Sequence, residues 1–364
     1  MAPPRHLDLL GAQNAQLIPW PVPFADGVDQ LMALRGRPVV VLASGDPFWF
    51  GAGAVLARQL ARDEWISIPA PSCFSLAANA LGWALEQTIV LGLHAAPLAR
   101  LRPHLAPGRR ILCTLRDGAA VAELAGYLAG AGFGPSALHI LSRLGGPHQK
   151  IHSGTADSLT GHFDAPVLAG IDVAGSGHAL PLASGISDDF FETDGQITKR
   201  PIRALTLSAL APRPNERLWD IGGGSGSIAI EWLLRDPTLQ AVAFEQHDAR
   251  SQRIAQNAAQ LGVERLQVVQ GKAPDVLDGQ TPPDAVFIGG GLSQTLLDWL
   301  WSHLPAGVRL VANGVTLESE AVLAQAHAAR GGDLLRVDVS TCAPIGPRRG
   351  WKAAYPIVQW SVTL

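Results

Sequence analysis

A run of glycines between an apolar stretch and a helix pattern constrains this chain more than any other feature. The segment LWDIGGGSGSIAIEW (residues 218–232) reaches Asp220 on apolar residues, passes four glycines and continues as an apolar helix pattern. Glycine has no Cβ, so backbone at these positions can pass close to a ligand or to other backbone. In open α/β sheets such loops lie at the carboxyl ends of the strands, where ligands bind. The segment therefore predicts an α/β sheet with a ligand crevice.

The spacing of the glycines indicates which ligand the crevice takes. The dinucleotide fingerprint G-x-G-x-x-G requires a glycine at its sixth position, which is Ser227 when counted from Gly222. The observed D-x-G-x-G-x-G spacing favours S-adenosylmethionine. Glu245 ends the next apolar stretch, about 20 residues later, where an acid can accept hydrogen bonds from both ribose hydroxyls. Nicotinamide dinucleotide sites share that acid, so an NAD dehydrogenase stays open as an alternative.

The rest of the chain alternates between strand and helix patterns, which predicts α/β architecture in both halves. In the first half we predict strands in RPVVVLASGD, WISIPAPS, RRILCTL, SALHILSRLGG and APVLAGIDVAG, and a helix in CFSLAANALGWAL with Ser72 as its N-cap. Residues 1–178 then form one domain. Residues 179–195 are rich in Gly, Ser and Asp and are predicted to be a linker and lead-in segment, with Asp188 and Asp189 in solvent. Residues 196–364 form a Rossmann-like sheet that ends in a β-hairpin, with PIGPRRGWKAAYP as the turn between the last two strands.

Composition excludes several classes of function. The net charge of -3 gives no basic field for nucleic acid, and the apolar runs fall far short of the ~20 residues that a membrane helix needs. The three cysteines are widely spaced, which predicts neither a disulfide framework nor a metal site. The first residues do not resemble a signal peptide. We therefore expect a cytoplasmic enzyme without nucleic-acid or membrane partners, and we expect it to be a homo-oligomer.

The loop after the fourth strand of the second half, FIGGGLSQ, bears on the substrate. Many amino-directed methyltransferases place Asn or Asp followed by two prolines there, and this chain does not. Gly289, Gly290 and Gly291 would instead clear space for a bulky planar substrate. This disfavours the alternative of an RNA or protein methyltransferase. The alternative, that this loop is glycine-rich only for its own packing, remains.

At this point the chain resembles known families. DDFFETDGQITKRPIRALTLSALAP, LWDIGGGSGSIAIEW and DAVFIGGG resemble the C-terminal half of the bifunctional precorrin methyltransferases of cobalamin synthesis. VVVLASGDPFWFGAG, IPAPSCFSLAANALGW and KIHSGTADSL resemble the tetrapyrrole methylases. The resemblance implies a tetrapyrrole-methylase-like α/β domain followed by a class I methyltransferase domain. It further implies two S-adenosylmethionine-dependent methylations of a reduced tetrapyrrole (a precorrin), at carbons 5 and 15, and decarboxylation of the acetate arm at carbon 12. By the same resemblance, the first domain carries the carbon-5 methylation, and the second carries the carbon-15 methylation and the decarboxylation.

The resemblance also implies the cofactor residues. In the second domain they are Thr198, Gly222, Gly223, Gly224, Ser225, Gly226, Glu245, Gly271, Lys272 and Ala273. In the first domain they are Ser44, Gly45, Asp46, Ser72 and Cys73. Thr198 has the alternative role of N-cap to the helix that follows it. The G-x-G-P-like loop with which tetrapyrrole methylases begin is not found before PRHLDLL, so a first domain that serves only as a scaffold remains an alternative.

Two groups of cations are candidates for binding the substrate carboxylates, because arginine forks suit carboxylates. One group, in the predicted C-terminal turn, is Arg348, Arg349 and Lys352, with Trp351 available to cover a ring face. The other, at the start of a helix, includes Lys199 and Arg203. Either group has the alternative of a solvated surface. No catalytic acid or base can be named from the residues.

Overall fold

A computed structural model of the chain describes residues 1–364 and divides into two units. Unit 1 comprises Met1–Ala96 and Pro107–Gly177, and unit 2 comprises Pro97–Ala106 and His178–Leu364. The sequence predicts continuous domains, whereas in the structure the segment Pro97–Ala106 belongs to unit 2. That segment contains a 3-10 helix, Leu98–His104, whose Arg100 forms an ion pair with Glu264 of unit 2.

Unit 1 contains five helices and a mixed five-stranded sheet. The helices are α1 (Pro4–Leu7), α2 (Phe24–Met32), α3 (Gly53–Ala57), α4 (Cys73–Leu81) and α5 (Ala120–Gly130). The strands are β1 (Thr88–Gly92), β2 (Arg110–Thr114), β3 (Ala137–Ser142), β4 (Lys150–Thr155) and β5 (Val167–Asp172). The sheet order is β1-β2-β5-β3-β4, and only β1 and β2 are parallel neighbours. Side chains of α4 pack on β2, β3 and β5 to form its core.

Two strands predicted near the start of unit 1 are wrong. Residues 38–43 and 65–70 run without strand pairing, although the first segment exchanges backbone hydrogen bonds with Met1. Val40, Ile66 and Ile68 are 73–87% exposed. Their apolar, β-branched composition favours a buried strand, but a strand also needs a neighbour to bond with, and composition does not supply one. The sequence reading in turn missed β1 and the edge strand β4.

Unit 2 is built around a seven-stranded sheet. Its helices are α6 (Arg200–Leu210), α7 (Ser227–Arg235), α8 (Asp248–Gln260), α9 (Gln294–His303) and α10 (Leu317–Arg330). Its strands are β6 (Arg217–Ile221), β7 (Gln240–Glu245), β8 (Gln267–Gln270), β9 (Ala285–Ile288), β10 (Arg309–Gly314), β11 (Asp333–Val337), β12 (Ser340–Ile345), β13 (Arg348–Ala353) and β14 (Ile357–Thr363). The sheet order is β11-β14-β10-β9-β6-β7-β8, with the strands from β10 to β8 parallel and β14 antiparallel to both of its neighbours. The predicted Rossmann-like fold with a C-terminal antiparallel pair is confirmed.

The predicted C-terminal turn is a hairpin of its own. β12 and β13 pair as a separate two-stranded sheet, from Ser340 opposite Ala353 to Ile345 opposite Arg348. The connection is the two residues Gly346 and Pro347, and Gly346 has a φ of +56°. A glycine at the first position of a two-residue connection favours a tight hairpin turn, which is the signal that the sequence reading overlooked.

Both faces of the central sheet are buried, as expected for parallel strands covered by helices. Consecutive residues of β6 point to opposite faces: Leu218 joins one apolar cluster and Trp219 the other. No helix of the chain combines the length and the apolar composition needed to cross a bilayer.

The central position of β6 predicts the effect of a cavity there. Leu218 is fully buried, so Leu218→Ala should lower the free energy of unfolding of unit 2 by about 2–5 kcal/mol. Denaturant unfolding followed by tryptophan fluorescence measures this. Leu317→Ala is the matched control, because Leu317 is 80% exposed and should change stability by less than about 0.5 kcal/mol. Equal losses in both variants would contradict the assignment of Leu218 to the core.

Candidate functional site

A cavity of about 790 Å³ lies at the carboxyl ends of β6, β7, β9 and β10. Its size falls within the roughly 300–1,000 Å³ that is typical of small-molecule sites. Most of the cofactor residues predicted for unit 2 line it: Thr198, Gly222, Gly223, Gly224, Glu245, Gly271, Lys272 and Ala273. Ser225 is instead buried and Gly226 is the N-cap of α7. These two residues belong to the loop but not to the cavity lining.

Two glycines of the loop after β6 stand where its backbone packs against other backbone. Gly222 has a φ of +73°, and a Cβ built there would lie 2.6 Å from both N and Cα of Gly290. Gly224 has a φ of +59°, and its Cβ would lie 3.0 Å from the carbonyl oxygen of Gln196. The loop after β6 therefore touches both the loop after β9 and the segment before α6. Packing thus accounts for Gly222, whereas a Cβ at Gly290 would meet Gly222 Cα only at an ordinary contact distance of 3.6 Å. Gly289, Gly290 and Gly291 also line the cavity.

Glu245 is a buried carboxylate held in a fixed orientation. It is 3% exposed and lines the cavity. One carboxylate oxygen accepts a hydrogen bond of 3.0 Å from Gly224 N, and the other accepts one of 3.0 Å from His247 N. A carboxylate has about four acceptor positions, so further ones remain for a ligand. Glu245 can therefore fix the glycine loop and accept from a pair of hydroxyls at once.

Asp220, which precedes the glycines, does not line the cavity. It is fully buried, and this burial raises the pKa of its carboxyl to about 7, against a hydrogen bond from Ala229 N and with a smaller contribution from the charge of Glu245. Oδ2 accepts the bond from Ala229 N at 3.1 Å, and Oδ1 has no hydrogen-bond partner. Asp220 thereby joins the end of β6 to the first turn of α7.

The segment before α6 forms a wall of the cavity. We call residues 186–199 the strap. Residues 179–195, predicted to be a linker and lead-in segment, contribute Ile186 and Phe191 to the core of unit 2. Asn257 of α8, also fully buried, exchanges two hydrogen bonds with the backbone of Glu192 and donates a third, of 2.9 Å, to the carbonyl of Ser225. Asn257 thus ties the strap to the glycine loop.

Ion pairs secure the strap further along. Asp194 lies 2.9 Å from Arg250 Nε and 3.2 Å from Arg253 NH1, and these partners lower the pKa of Asp194. Its other oxygen accepts a hydrogen bond from Gln196 N. Arg250 also lines the cavity. The sequence reading assigned no role to these residues, although Asn257 could have been noticed because it sits on the apolar face of α8 with Ile254, Ala258 and Leu261.

Arg203 does not face the cavity, so its predicted contact with substrate is wrong. Its side chain is fully buried, and its guanidinium donates to Glu231 at 2.6 Å and to Asp188 at 3.0 Å. Asp188, predicted to be solvated, is therefore ion-paired. Lys199 lines the cavity, with Nζ 3.7 Å from Asp188. Lys199 is also the N-cap of α6 and has no side-chain capping bond, so the alternative of Thr198 as N-cap is wrong.

The cations of the C-terminal hairpin lie outside the cavity lining. Arg348, Arg349 and Lys352 are exposed on β13. Residues near the base of the hairpin do line the cavity: Val339, Thr341, Ala354 and Tyr355. The base of the hairpin therefore forms part of the cavity wall, whereas the three cations of β13 lie outside the lining.

The candidate residues of unit 1 come together around Gly45. Its φ is +61°, and a Cβ built there would lie 3.1 Å from the carbonyl oxygen of Pro71 and 3.2 Å from Ser72 Cα. This contact brings Ser44, Gly45 and Asp46 beside Ser72 and Cys73. Ser72 caps α4 by accepting from Ser75 N at 3.1 Å, which confirms the predicted N-cap.

Both halves of the chain match known protein families. Residues 189–364 match the sequence profile of the precorrin methyltransferase domain, and residues 27–160 match that of the tetrapyrrole (corrin/porphyrin) methylases. A Sinorhizobium protein named precorrin-6Y C(5,15)-methyltransferase [decarboxylating] is 49% identical over 99% of this chain and 88% of its own length. This chain belongs to the precorrin-6Y C(5,15)-methyltransferase family.

Other members of the precorrin-6Y C(5,15)-methyltransferase family are also similar to this chain. A Mycobacterium tuberculosis protein of the same name is 40% identical over 99% of this chain and 91% of its own length. The crystal structure of the C-terminal domain of the Rhodobacter capsulatus enzyme covers 51% of this chain and 100% of that domain, at 49% identity and a TM-score of 0.50. The resemblance inferred from the motifs is confirmed, and so is the fusion of two methyltransferase folds.

The burial of Asp220 predicts a pH dependence of stability. A carboxyl whose pKa is raised to about 7 by folding holds its proton in the native state where the unfolded chain has lost it, so its contribution to stability falls as pH rises from about 4 to about 7. The free energy of unfolding of the wild type, minus that of Asp220→Asn, should therefore decrease over this range. Denaturant unfolding at a series of pH values measures it.

The matched control for this titration is Asp338→Asn. Asp338 is exposed, and its difference from the wild type should vary less with pH. A flat difference for Asp220→Asn would show that Asp220 is ionised in the folded protein throughout this range.

Proposed function

We propose that this chain uses S-adenosylmethionine to methylate a precorrin-6-type tetrapyrrole at carbons 5 and 15 and to remove carbon dioxide from the acetate arm at carbon 12. The observation that carries the proposal is the cavity in which the glycine loop meets Glu245, in a chain that is 49% identical over 99% of its length to a relative of that name. All three cysteines are free, as in a reducing compartment, and we place the reaction in the cytoplasm.

The residues of the cavity fit a sulfonium nucleoside. Glu245 would accept from the two ribose hydroxyls, and the Gly271, Lys272 and Ala273 turn would lie along the adenine. The loop from Gly222 to Gly224 would lie under the methionine portion. Thr198 on the strap would close the opposite wall.

The proposed methyl transfer depends on orientation more than on acid or base groups. S-Adenosylmethionine supplies an already activated methyl group when it is bound. The chain must then hold the nucleophilic ring carbon in line and keep water out, and orientation of this kind supplies roughly 7–11 kcal/mol. The apolar part of the lining, which includes Ile202, Val315 and Ile357, serves the exclusion of water.

Cations around the cavity would bind the substrate carboxylates. Lys199 lies in the lining. Arg348, Arg349 and Lys352 stand on the hairpin that extends from the same cavity, beside Trp351, which is 78% exposed. A hairpin that bends over the cavity would bring guanidinium forks and an aromatic face to a ring with several carboxylates.

The decisive experiment is incubation of the chain with a precorrin-6 substrate and methyl-labelled S-adenosylmethionine, followed by mass analysis. The product should carry two labelled methyl groups and lack one carbon dioxide. Glu245→Ala should lose the carbon-15 methyl group and the decarboxylation, because the ribose hydrogen bonds are removed. Glu318→Ala, which alters an exposed residue of α10, should behave as the wild type. Unchanged substrate mass with the wild type would refute the proposal.

One observation favours a second candidate, in which unit 1 is a scaffold and only unit 2 is active. The residues before Ser44, 38–43, have no strand ladder, so the loop around Gly45 does not extend from a sheet. A loop on a rigid strand holds a ligand more closely than one on an unpaired segment. In this reading the chain performs the carbon-15 methylation and the decarboxylation alone.

Calorimetric titration with S-adenosylhomocysteine separates the two candidates. Two working sites predict two equivalents in the wild type and one each in Gly224→Val and Gly45→Val, because a side chain at either glycine meets backbone and is strained at positive φ. A scaffold predicts one equivalent in the wild type, none in Gly224→Val and one in Gly45→Val. Binding to Gly224→Val at wild-type stoichiometry would contradict both assignments.

A further inference from the structure

Arg203 of α6 donates four hydrogen bonds to groups close to the cavity. Nε donates to Glu231 at 2.6 Å, NH2 donates to the carbonyl of Ile186 at 2.6 Å, and NH1 donates both to Asp188 at 3.0 Å and to the carbonyl of Thr198. A guanidinium has five N–H donors, so four of them are used. The side chain is fully buried, and its guanidinium lies 4.9 Å from the centre of the Phe191 ring.

The partners of Arg203 belong to two different walls of the cavity. Ile186, Asp188 and Thr198 lie on the strap, and the last two line the cavity. Glu231 lies on α7, the helix that begins where the glycine loop ends. Glu231 is itself fully buried and accepts from Gly185 N at 2.7 Å and from Ile186 N at 3.0 Å. The Arg203–Glu231 pair therefore joins the strap directly to the helix that carries the glycine loop.

The charges in this cluster balance, which makes the burial tolerable. Arg203 pairs with Glu231, and Asp188 pairs with both Arg203 and the more exposed Lys199. A buried pair adds little net stability, because desolvation offsets attraction, but removing one partner leaves an unpaired buried charge. Lysine would keep the charge but reproduce only part of this arrangement, since its single ammonium does not reach all the acceptors around a planar fork. The arrangement suits a group that fixes geometry.

We propose that Arg203 is a positioning residue for the cofactor cavity: it holds the strap, through Asp188 and Thr198, at a fixed separation from the glycine loop. The proposal rests on the proposed function for its ligand, S-adenosylmethionine. Without this clamp, the set of hydrogen bonds made by Arg203, the strap would still be bound to α8 through Asn257 and through the ion pair of Asp194. Its end near Thr198 would be free to move away from the glycine loop. The ligand would then have to close the wall as it binds.

Three variants test the clamp: Arg203→Met, Arg203→Lys and the matched control Arg309→Met. Arg309 is also largely buried and forms an ion pair of 2.5 Å with Glu216, but it does not line the cavity. Arg203→Met should raise the Kd for S-adenosylhomocysteine by about tenfold or more, since the apparent Kd rises as the binding-competent fraction falls. Arg309→Met should lower the thermal unfolding temperature and leave the Kd within about twofold. Arg203→Lys should fall between Arg203→Met and the wild type.

Hydrogen exchange of the backbone amides in residues 186–199, measured without ligand, is the second readout. Exchange there should be about tenfold faster in Arg203→Met than in Arg309→Met, since local opening of the strap would be easier. Wild-type affinity together with wild-type exchange in Arg203→Met would overturn the proposal and leave Arg203 a stabilising residue only. If Arg203→Met does not fold, Arg203→Lys and Asp188→Asn take its place, and wild-type behaviour of both overturns it.

The two proposals fail in different ways. A wild-type chain that does not bind S-adenosylhomocysteine would refute the proposed cofactor site, and the exchange comparison would still decide whether Arg203 holds the strap. Binding by the wild type, with equal affinity and equal exchange in Arg203→Met, would refute only the positioning role.

Discussion

The contact between Gly222 and Gly290 is the constraint on which the rest of unit 2 depends. Two neighbouring parallel strands, β6 and β9, end in loops whose backbones touch at a distance that no Cβ could occupy. Because the loops meet there without side chains, the space beyond the strand ends stays open on the side of β7, where Glu245 lies. The loops thus meet because residue 222 has no side chain, and the cavity that both loops line keeps one buried carboxylate, Glu245, beside them.

The second wall of the cavity is held by polar groups. The strap has two well-buried apolar anchors, Ile186 and Phe191, and beyond them it is fixed by Arg203, by Asn257 and by the ion pairs of Asp194. Charged groups that satisfy one another in this way are not available to a ligand. The exposed cations on β13 of the β12–β13 hairpin are not part of this set, and they are among those that we propose for the substrate carboxylates.

Much of unit 2 could be predicted because local signals and long-range packing agree there. The glycines after β6, the apolar runs of the central strands and the acid that ends β7 all indicate one architecture, and the structure has it. Arg203 shows where the reading failed. On α6 it shares its buried face with Ile202, Thr206, Leu207 and Leu210, a position that indicates burial, yet its charge was taken to mean a ligand contact. Which acceptors enclose a buried cation depends on segments distant in sequence, here α7 and the strap.

Unit 1 follows the sequence predictions less closely than unit 2. A comparison of Gly45 with Gly222 explains why similar glycines need not have equal consequences. Gly45 and Gly222 both have positive φ and both sit where a Cβ would press on neighbouring backbone. Gly222 extends from β6, which is bonded on both sides within a seven-stranded sheet, whereas Gly45 follows residues 38–43, which have no ladder. A glycine loop positions a ligand only as firmly as the segment that carries it. The firmer platform in unit 2 is therefore a physical reason to expect that its glycine loop holds a ligand more closely than the loop around Gly45 does.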